Sequence, residues 1–297
     1  MRCKSVVTGG AGFVGSHIVD ELLADGQDVH VVDNLATGKR ENVNAHAALH
    51  EVDIRDYDAL LSVMEGATYV FHEAALARVQ LSIENPALTH EVNITGTLCV
   101  LRAAADRQVK RLIYAASSSA YGNQKTLPLD ESMPANPLSP YGLQKHVGEL
   151  YCRLFSTVYN LQTVCLRYFN VYGPRFDPSG PYALVIGKFL RQRSLGEPLT
   201  ITGDGEQTRD FTHVSDVARA NLLAMTSEKV GHGEVLNIGA GRNCSINHLA
   251  EIIGGPTVHV PPRLEPRHTR ADNRRARELL GWVPTVALAD GVMALKS

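Results

Sequence analysis

The sequence predicts an α/β protein, a doubly wound parallel sheet followed by a smaller C-terminal lobe. Three observations predict it. A glycine cluster (Gly9, Gly10, Gly12, Gly15) joins a short β-prone run to a stretch of helical periodicity. Strand-like and helix-like segments then alternate to about residue 170, the rhythm that gives parallel strands with helices on both faces. Past Asn170 that rhythm breaks at Pro174, Pro178, Gly180 and Pro181, and the later elements are short.

The elements follow in order. The first strand, ending near Thr8, runs into the glycine cluster. After it Val14, Ile18, Leu22 and Val19, Leu23 recur at the spacing of a helix that closes near Ala24. A second strand, residues 29–32, ends at Asp33. A helix near 57–64 leads to a strand at 68–72, and a helix at 86–107 leads to a strand at 111–115. The helix opening at Pro140, where a missing N–H costs nothing, extends to about 159 and precedes a strand at 163–168. Residues 210–240 are expected to return in part to the first unit.

Composition narrows the functional classes. With 297 residues, 44% of them apolar, the chain can bury a full core, and its net charge of −2 implies no strong field for nucleic acid or a membrane surface. The basic stretch 263–277 is interrupted by Glu265, Asp272 and proline, as on a solvated face. Cys3, Cys99, Cys152, Cys165 and Cys244 show no metal spacing, so no metal is expected and buried thiols in a reducing cytoplasm are. No cleavable leader and no apolar run of about 20 residues is found.

Two motifs carry chemistry. The glycines fit both Gly9-x-x-Gly12-x-x-Gly15 and Gly10-x-Gly12-x-x-Gly15, a turn that lets backbone approach a diphosphate at the helix N-terminus. Asp33 follows at about 20 residues, where a carboxylate accepts ribose hydroxyls and repels a 2′-phosphate. The expected ligand is therefore NAD rather than NADP, on a Rossmann-type sheet. The second motif, Tyr141-Gly142-Leu143-Gln144-Lys145, sets a phenol and an ammonium on one helix face. A cation near the phenol favours its ionised form and fits it to take a proton from an alcohol. Ser117, Ser118 and Ser119 lie upstream at a strand end, and the residues alone leave open which of the three stands nearest the substrate.

Together with Asn34-Leu35-Ala36-Thr37-Gly38, Asp53-Ile54, His72-Glu73-Ala74-Ala75, Val92-Asn93-Ile94-Thr95-Gly96-Thr97, Arg167-Tyr168-Phe169-Asn170 and Arg209-Asp210-Phe211, these motifs resemble the extended short-chain dehydrogenase/reductases that act on nucleotide sugars. Within that group the resemblance is to the UDP-galactose (UDP-glucose) 4-epimerases, and it runs from Thr8 to about Trp282. It implies residues 1–170 as an NAD-binding domain, with 171–297 mainly a substrate-binding lobe. It implies Ser117, Tyr141 and Lys145 as catalytic. For NAD it implies Gly9, Gly12, Phe13, Val14, Gly15, Asp33, Asn34, Thr37, Gly38, Asp53, Ile54, Ala74, Ala75, Asn93 and Phe169, beside Tyr141 and Lys145. For a UDP-hexose it implies Ser117, Ser118, Tyr141, Asn170, Leu184, Arg209, Arg263 and Thr269.

The activity implied is epimerisation of UDP-glucose and UDP-galactose through a 4-keto sugar, in a cytoplasmic homodimer that keeps its NAD bound. Small Thr269 admits an N-acetyl group, whereas bulky Phe176 and Leu184 disfavour it. UDP-glucuronate 4-epimerase, or another nucleotide-sugar-modifying enzyme of the family, is the alternative. A non-catalytic NAD-binding regulator is the alternative of another class. No acid follows Ser117, where 4,6-dehydratases carry an Asp-Glu pair and decarboxylases a Glu. Glu73 and Arg78 stand where the family usually has an apolar and a small residue.

Overall fold

The structure is a computed structural model, and it describes residues 2–176, 185–262 and 266–296. In chain order its elements begin with strand β1 (Lys4–Thr8), helix α1 (Phe13–Ala24), β2 (Asp28–Val32), β3 (Ala48–His50), α2 (Tyr57–Val63) and β4 (Tyr69–His72). Next come α3 (Val79–Glu84), α4 (Pro86–His90), a π-helical turn at Glu91–Gly96, α5 (Thr97–Asp106), β5 (Arg111–Ser117), α6 (Pro140–Val158) and β6 (Gln162–Tyr168). The remainder holds β7 (Val171–Tyr172), α7 (Val185–Ser194), β8 (Leu199–Thr202), β9 (Thr208–Asp210), β10 (Thr212–His213), α8 (Val214–Thr226) and β11 (His232–Ile238). It closes with β12 (Asn243–Ser245), α9 (Ile246–Ile253), β13 (Thr257–Val260), α10 (Arg274–Leu280) and α11 (Leu288–Ala294).

Seven strands form one sheet in the order β11-β6-β5-β4-β1-β2-β3, every pairing parallel. The strand order reverses between β1 and β4, and ligands of such sheets bind in the crevice beyond the strands' carboxyl ends at that point. Apolar clusters cover both faces. On one, Ile18, Val19 and Leu22 of α1 meet Val217, Ala220 and Ala224 of α8 and Trp282; on the other, Leu60, Val100, Leu101 and Cys152 pack under α2, α5 and α6. Each large side chain buried in this way contributes about 1.5–3 kcal/mol. α8 thus lies against α1, and β11 extends the sheet beside β6. A separate small core (Phe189, Leu199, Ile201, Leu249, Ile253) holds α7, β8, α9 and α11 together beyond the sheet's edge.

Local sequence explains the helix that carries the second motif. The Ser139 hydroxyl accepts from Gly142 N–H at 3.1 Å, with Pro140 at the first helical position. The single helix expected over 86–107 is instead α4, a π turn and α5. The Thr97 hydroxyl bonds the Asn93 carbonyl at 2.7 Å, and the Asn93 side chain swings out of the turn to the backbone of Leu76. Such π turns recur at functional sites. The cysteines also differ from expectation: Cys152 and Cys165 are buried, whereas Cys3 is exposed and Cys99 and Cys244 are half-covered. Among the described residues no helix is long and apolar enough to cross a membrane, and no cluster of His, Cys, Asp and Glu could hold a metal ion.

Candidate active site

A cavity of about 1570 Å³ opens over the carboxyl ends of β1, β2, β4, β5 and β6 and continues under the C-terminal lobe. The glycine turn forms its first wall. Gly9 has φ +73°, and a Cβ there would stand 2.6 Å from the Ala74 nitrogen; one on Gly15 would stand 2.3 Å from the Gly9 carbonyl. No other residue lets this turn close against the end of β4. Gly9, Gly12, Phe13, Val14 and Gly15 line the cavity. α1 begins with no side-chain cap and no acid in its first turn, so its first amides are left for an anion.

The Asp33 carboxyl is buried in the next wall, accepting from Ala11 N–H at 3.0 Å and Leu35 N–H at 2.8 Å. Burial pushes its pKa up, and these two amide bonds pull it back. Gly38 leaves room for it, since a Cβ there would lie 2.8 Å from both carboxyl oxygens. Asn34, Thr37, Gly38, Asp53, Ile54, Ala74 and Ala75 share this side of the cavity. Asp53 is held well below the usual carboxylate range, first by bonds from Arg55 at 2.8 and 2.7 Å and also by Asn34 at 2.9 Å. A backbone turn with free amides, a buried ribose-accepting carboxyl and apolar flanks together fit the donor and acceptor set of NAD.

Ser117 at the end of β5 and Tyr141 and Lys145 on α6 meet on the cavity floor. Ser117 is the serine whose hydroxyl acts on the Tyr141 phenol, lowering its pKa. Its hydroxyl also donates to Ser119 at 3.0 Å, while Ser118 lines the cavity nearby. Tyr141 is fixed from behind, its N–H donating to the Ser82 hydroxyl at 3.0 Å. Lys145 donates to the Ala115 carbonyl at 2.7 Å and lies 5.0 Å over the Tyr114 ring. Burial pushes the Tyr141 phenol up to about 12, and the Ser117 hydroxyl is the neighbour that lowers it.

The side chains of two expected cofactor residues do not line the cavity. Phe169 is fully buried with Tyr121, Leu129 and Ala271, because side chains alternate along β6 and its end. Tyr168 and Asn170 therefore face the cavity and Phe169 faces away. Asn93 is also buried; it holds Leu76 N–H at 2.8 Å and the Leu76 carbonyl at 3.1 Å, and donates to Gln144 at 2.8 Å. It shapes the cavity wall without lining it.

At the lobe end Asn170, Arg209, Thr269 and Phe176 line the cavity, whereas Leu184 and Arg263 lie outside the described residues. Asn170 donates to the Asp210 carbonyl at 2.9 Å, joining the end of β6 to β9. Arg209 donates to the carbonyls of Thr208 at 2.9 Å and Arg267 at 3.3 Å. The Thr269 hydroxyl accepts from Asp210 N–H at 3.3 Å. The Phe176 ring packs edge-on against Phe13, 5.3 Å between centroids, which places it over the glycine turn.

Sequence reasoning missed two groups here. Asp210 accepts from the N–H groups of Ala240, Gly241 and Ala271, all at 2.9 Å, and so pins two loops under the lobe; burial pushes its carboxyl up to about 7. Glu73, at the end of β4, reaches the cavity and accepts from the Tyr168 hydroxyl at 2.8 Å. No acid follows Ser117 along the chain, yet Glu73 brings a carboxyl into the same cavity from the neighbouring strand end. Strand adjacency was the signal that could have found it, since β4 and β5 end side by side.

Residues 5–239 match the sequence pattern of the NAD dependent epimerase/dehydratase family. A UDP-glucose 4-epimerase of Mycolicibacterium smegmatis is 39% identical over 307 residues, covering 97% of this chain and 96% of that protein. The crystal structure of UDP-glucose 4-epimerase with UDP-glucose from Thermotoga maritima superposes with a TM-score of 0.93 at 43% identity, covering 97% of this chain and 96% of the other. A UDP-N-acetylglucosamine 4-epimerase from Methanobrevibacter ruminantium, in complex with UDP-N-acetylmuramic acid, gives a TM-score of 0.93 at 38% identity, with 99% of each chain covered.

Proposed function

The chain belongs to the NAD dependent epimerase/dehydratase family, and on that premise we propose that it is a nucleotide-sugar 4-epimerase acting on UDP-glucose and UDP-galactose. The observation that carries this reading is the gathering of Ser117, Tyr141 and Lys145, the last fixed by the Ala115 carbonyl, in one large cavity with the glycine turn and Asp33. The residues that would hold NAD are the glycine turn with the first amides of α1, and Asp33, whose carboxyl suits ribose hydroxyls. Bound there, NAD supplies a reversible two-electron acceptor for the sugar's C4.

The chain's own residues do the rest. Tyr141 removes the proton of the sugar 4-hydroxyl, through or beside the Ser117 hydroxyl, and returns it after the 4-keto sugar has turned over. A neutral phenol near 12 is a weak base, so the site must favour the phenolate at the moment of transfer. The positive charge of Lys145, fixed by the Ala115 carbonyl, is the protein's contribution to that. Arg209 and Asn170 lie where a substrate diphosphate would thread between sheet and lobe, and a guanidinium fork suits phosphate oxygens. Ser118, Ser119 and Ala120 follow Ser117, so no acid stands there to eliminate water from C5 and C6.

Thr269 leaves space beside the sugar, which supports tolerance of the N-acetylated pair. Phe176, packed on Phe13, does not fill that space from the side expected of it. Incubation with UDP-glucose, UDP-N-acetylglucosamine and UDP-glucuronate, with products resolved chromatographically, tests the reading. UDP-galactose should form fastest. No conversion of any of the three by NAD-loaded protein would replace this function with that of a non-catalytic dinucleotide binder.

The protein is proposed to act as a homodimer through α6. Leu143, Leu150, Leu154 and Val158 are exposed along one stripe of that helix, with half-buried Val147 between them. On α5, Val100 and Leu101 pack into the protein's own core and Leu98 is partly exposed. Sedimentation of a monomer at micromolar concentration would contradict the dimer.

A further inference from the structure

Residues 174–176, just past β7, are fastened to helix α1 at three points. The His17 ring donates to the Pro174 carbonyl at 3.0 Å, Arg175 pairs with the Asp20 carboxyl at 2.6 Å, and the Phe176 ring packs edge-on against Phe13. Phe13, His17 and Asp20 stand at i, i+4 and i+7 along α1 and so form one stripe, in which the Phe13 and His17 rings are themselves in edge contact at 6.1 Å. The stripe lies off the face that α1 gives to the core, which carries Ile18, Val19 and Leu22. The fastening is therefore separate from the packing that holds the sheet together.

The stretch is held, and not merely adjacent. Arg175 has φ +61°, a left-handed conformation that a residue with a side chain rarely adopts and keeps only where its surroundings fix it. Its partner Asp20 is anchored in turn, the other carboxyl oxygen accepting from the Asn44 amide at 2.7 Å. Arg175 and Phe176 line the cavity together with Gly9, Gly12 and Gly15. Phe13 follows Gly12 directly and is the first residue of α1, so the Phe176 ring stands beside the amides left for a diphosphate.

We propose that residues 174–176 are a clasp: fastened to the stripe of Phe13, His17 and Asp20, they close the diphosphate end of the cavity and slow the escape of bound NAD. The proposal rests on the reading that the glycine turn holds NAD. An epimerase regenerates its cofactor in every cycle, so it gains nothing by exchanging it and stops whenever the nucleotide leaves. Retention depends chiefly on the departure rate, which a cover that must first open lowers. The clasp consists of weak contacts, one half-exposed ion pair, one hydrogen bond and one ring pair, and can open for loading without disturbing either core.

NAD release measures the effect without turnover of a sugar. Protein loaded with NAD and freed of excess by rapid gel filtration is mixed with alcohol dehydrogenase and ethanol, and each NAD released is read as NADH fluorescence. Arg175→Ala should release NAD about threefold faster than the parent protein, the usual contribution of a half-exposed ion pair. Phe176→Ala should release it about five- to tenfold faster, the contribution of an aromatic pair. The double variant Asp20→Ala/Arg175→Ala should be no faster than Asp20→Ala alone, because both substitutions remove the same contact. Added salt should speed release more from the parent than from Arg175→Ala, since it screens the ion pair that only the parent has.

Parental release rates in both Arg175→Ala and Phe176→Ala, or single effects that multiply in the double variant, would overturn the clasp. Protein that holds no NAD after loading would instead remove the reading of the glycine turn, a failure that NAD content alone tells apart.

Discussion

The carboxyl edge of the sheet and the C-terminal lobe meet across one cavity but are built differently. The edge rests on two large cores, one on each face, and its working groups are buried side chains held by hydrogen bonds to neighbouring elements, Tyr141 N–H to Ser82 of α3 and Lys145 to Ala115 of β5. The lobe has one small core and three two-stranded ladders, and its cavity residues come from distant parts of the chain. Arg209 and Thr269 are neighbours because Thr208 and His268 form an isolated bridge and the Asp210 carboxyl gathers three backbone amides. A proton-transferring pair needs fixed geometry, which the sheet provides. Choice among sugars needs only a shaped space, which tethered loops provide and which a single substitution can change.

That contrast yields predictions of decreasing size. On the sheet side, Tyr141→Phe should lower kcat by about 10²–10⁴-fold, the usual contribution of a positioned general base, with the fold and bound NAD unchanged. Steady-state assays beside a measurement of NAD content check it, and near-parental turnover would take Tyr141 out of the mechanism. On the lobe side, Thr269→Tyr should cut conversion of UDP-N-acetylglucosamine by about tenfold or more, the cost of overfilling a packed site by 1–3 kcal/mol. Conversion of UDP-glucose should change far less. If both activities fell in parallel, Thr269 would not shape the sugar pocket and the division of labour drawn here would fail.

The same contrast explains what could be read from the sequence. The glycine turn, Asp33 and the Tyr141–Lys145 pair were legible because their geometry is local: a turn, a strand end, two residues one helical turn apart. The start of α6 at Pro140 was legible for the same reason. The inward turn of the Phe169 side chain was not legible because a motif gives the order of residues and not which side of the strand each one faces. The bonding of Asn93 to Leu76 was not legible because it depends on a π turn. Glu73 and Asp210 escaped since their partners, Tyr168 and the amides of Ala240, Gly241 and Ala271, lie between 30 and 95 residues away along the chain.

The central claim is that Tyr141 and Ser117 serve an oxidation at C4 that is reversed within the same cavity. Conversion of UDP-glucose carrying deuterium at C4 of the sugar, run in ordinary water and followed by mass spectrometry and NMR, tests it most directly. The account predicts UDP-galactose that retains deuterium at C4, formed more slowly than from unlabelled substrate. UDP-galactose carrying a solvent-derived hydrogen at C4 would contradict it.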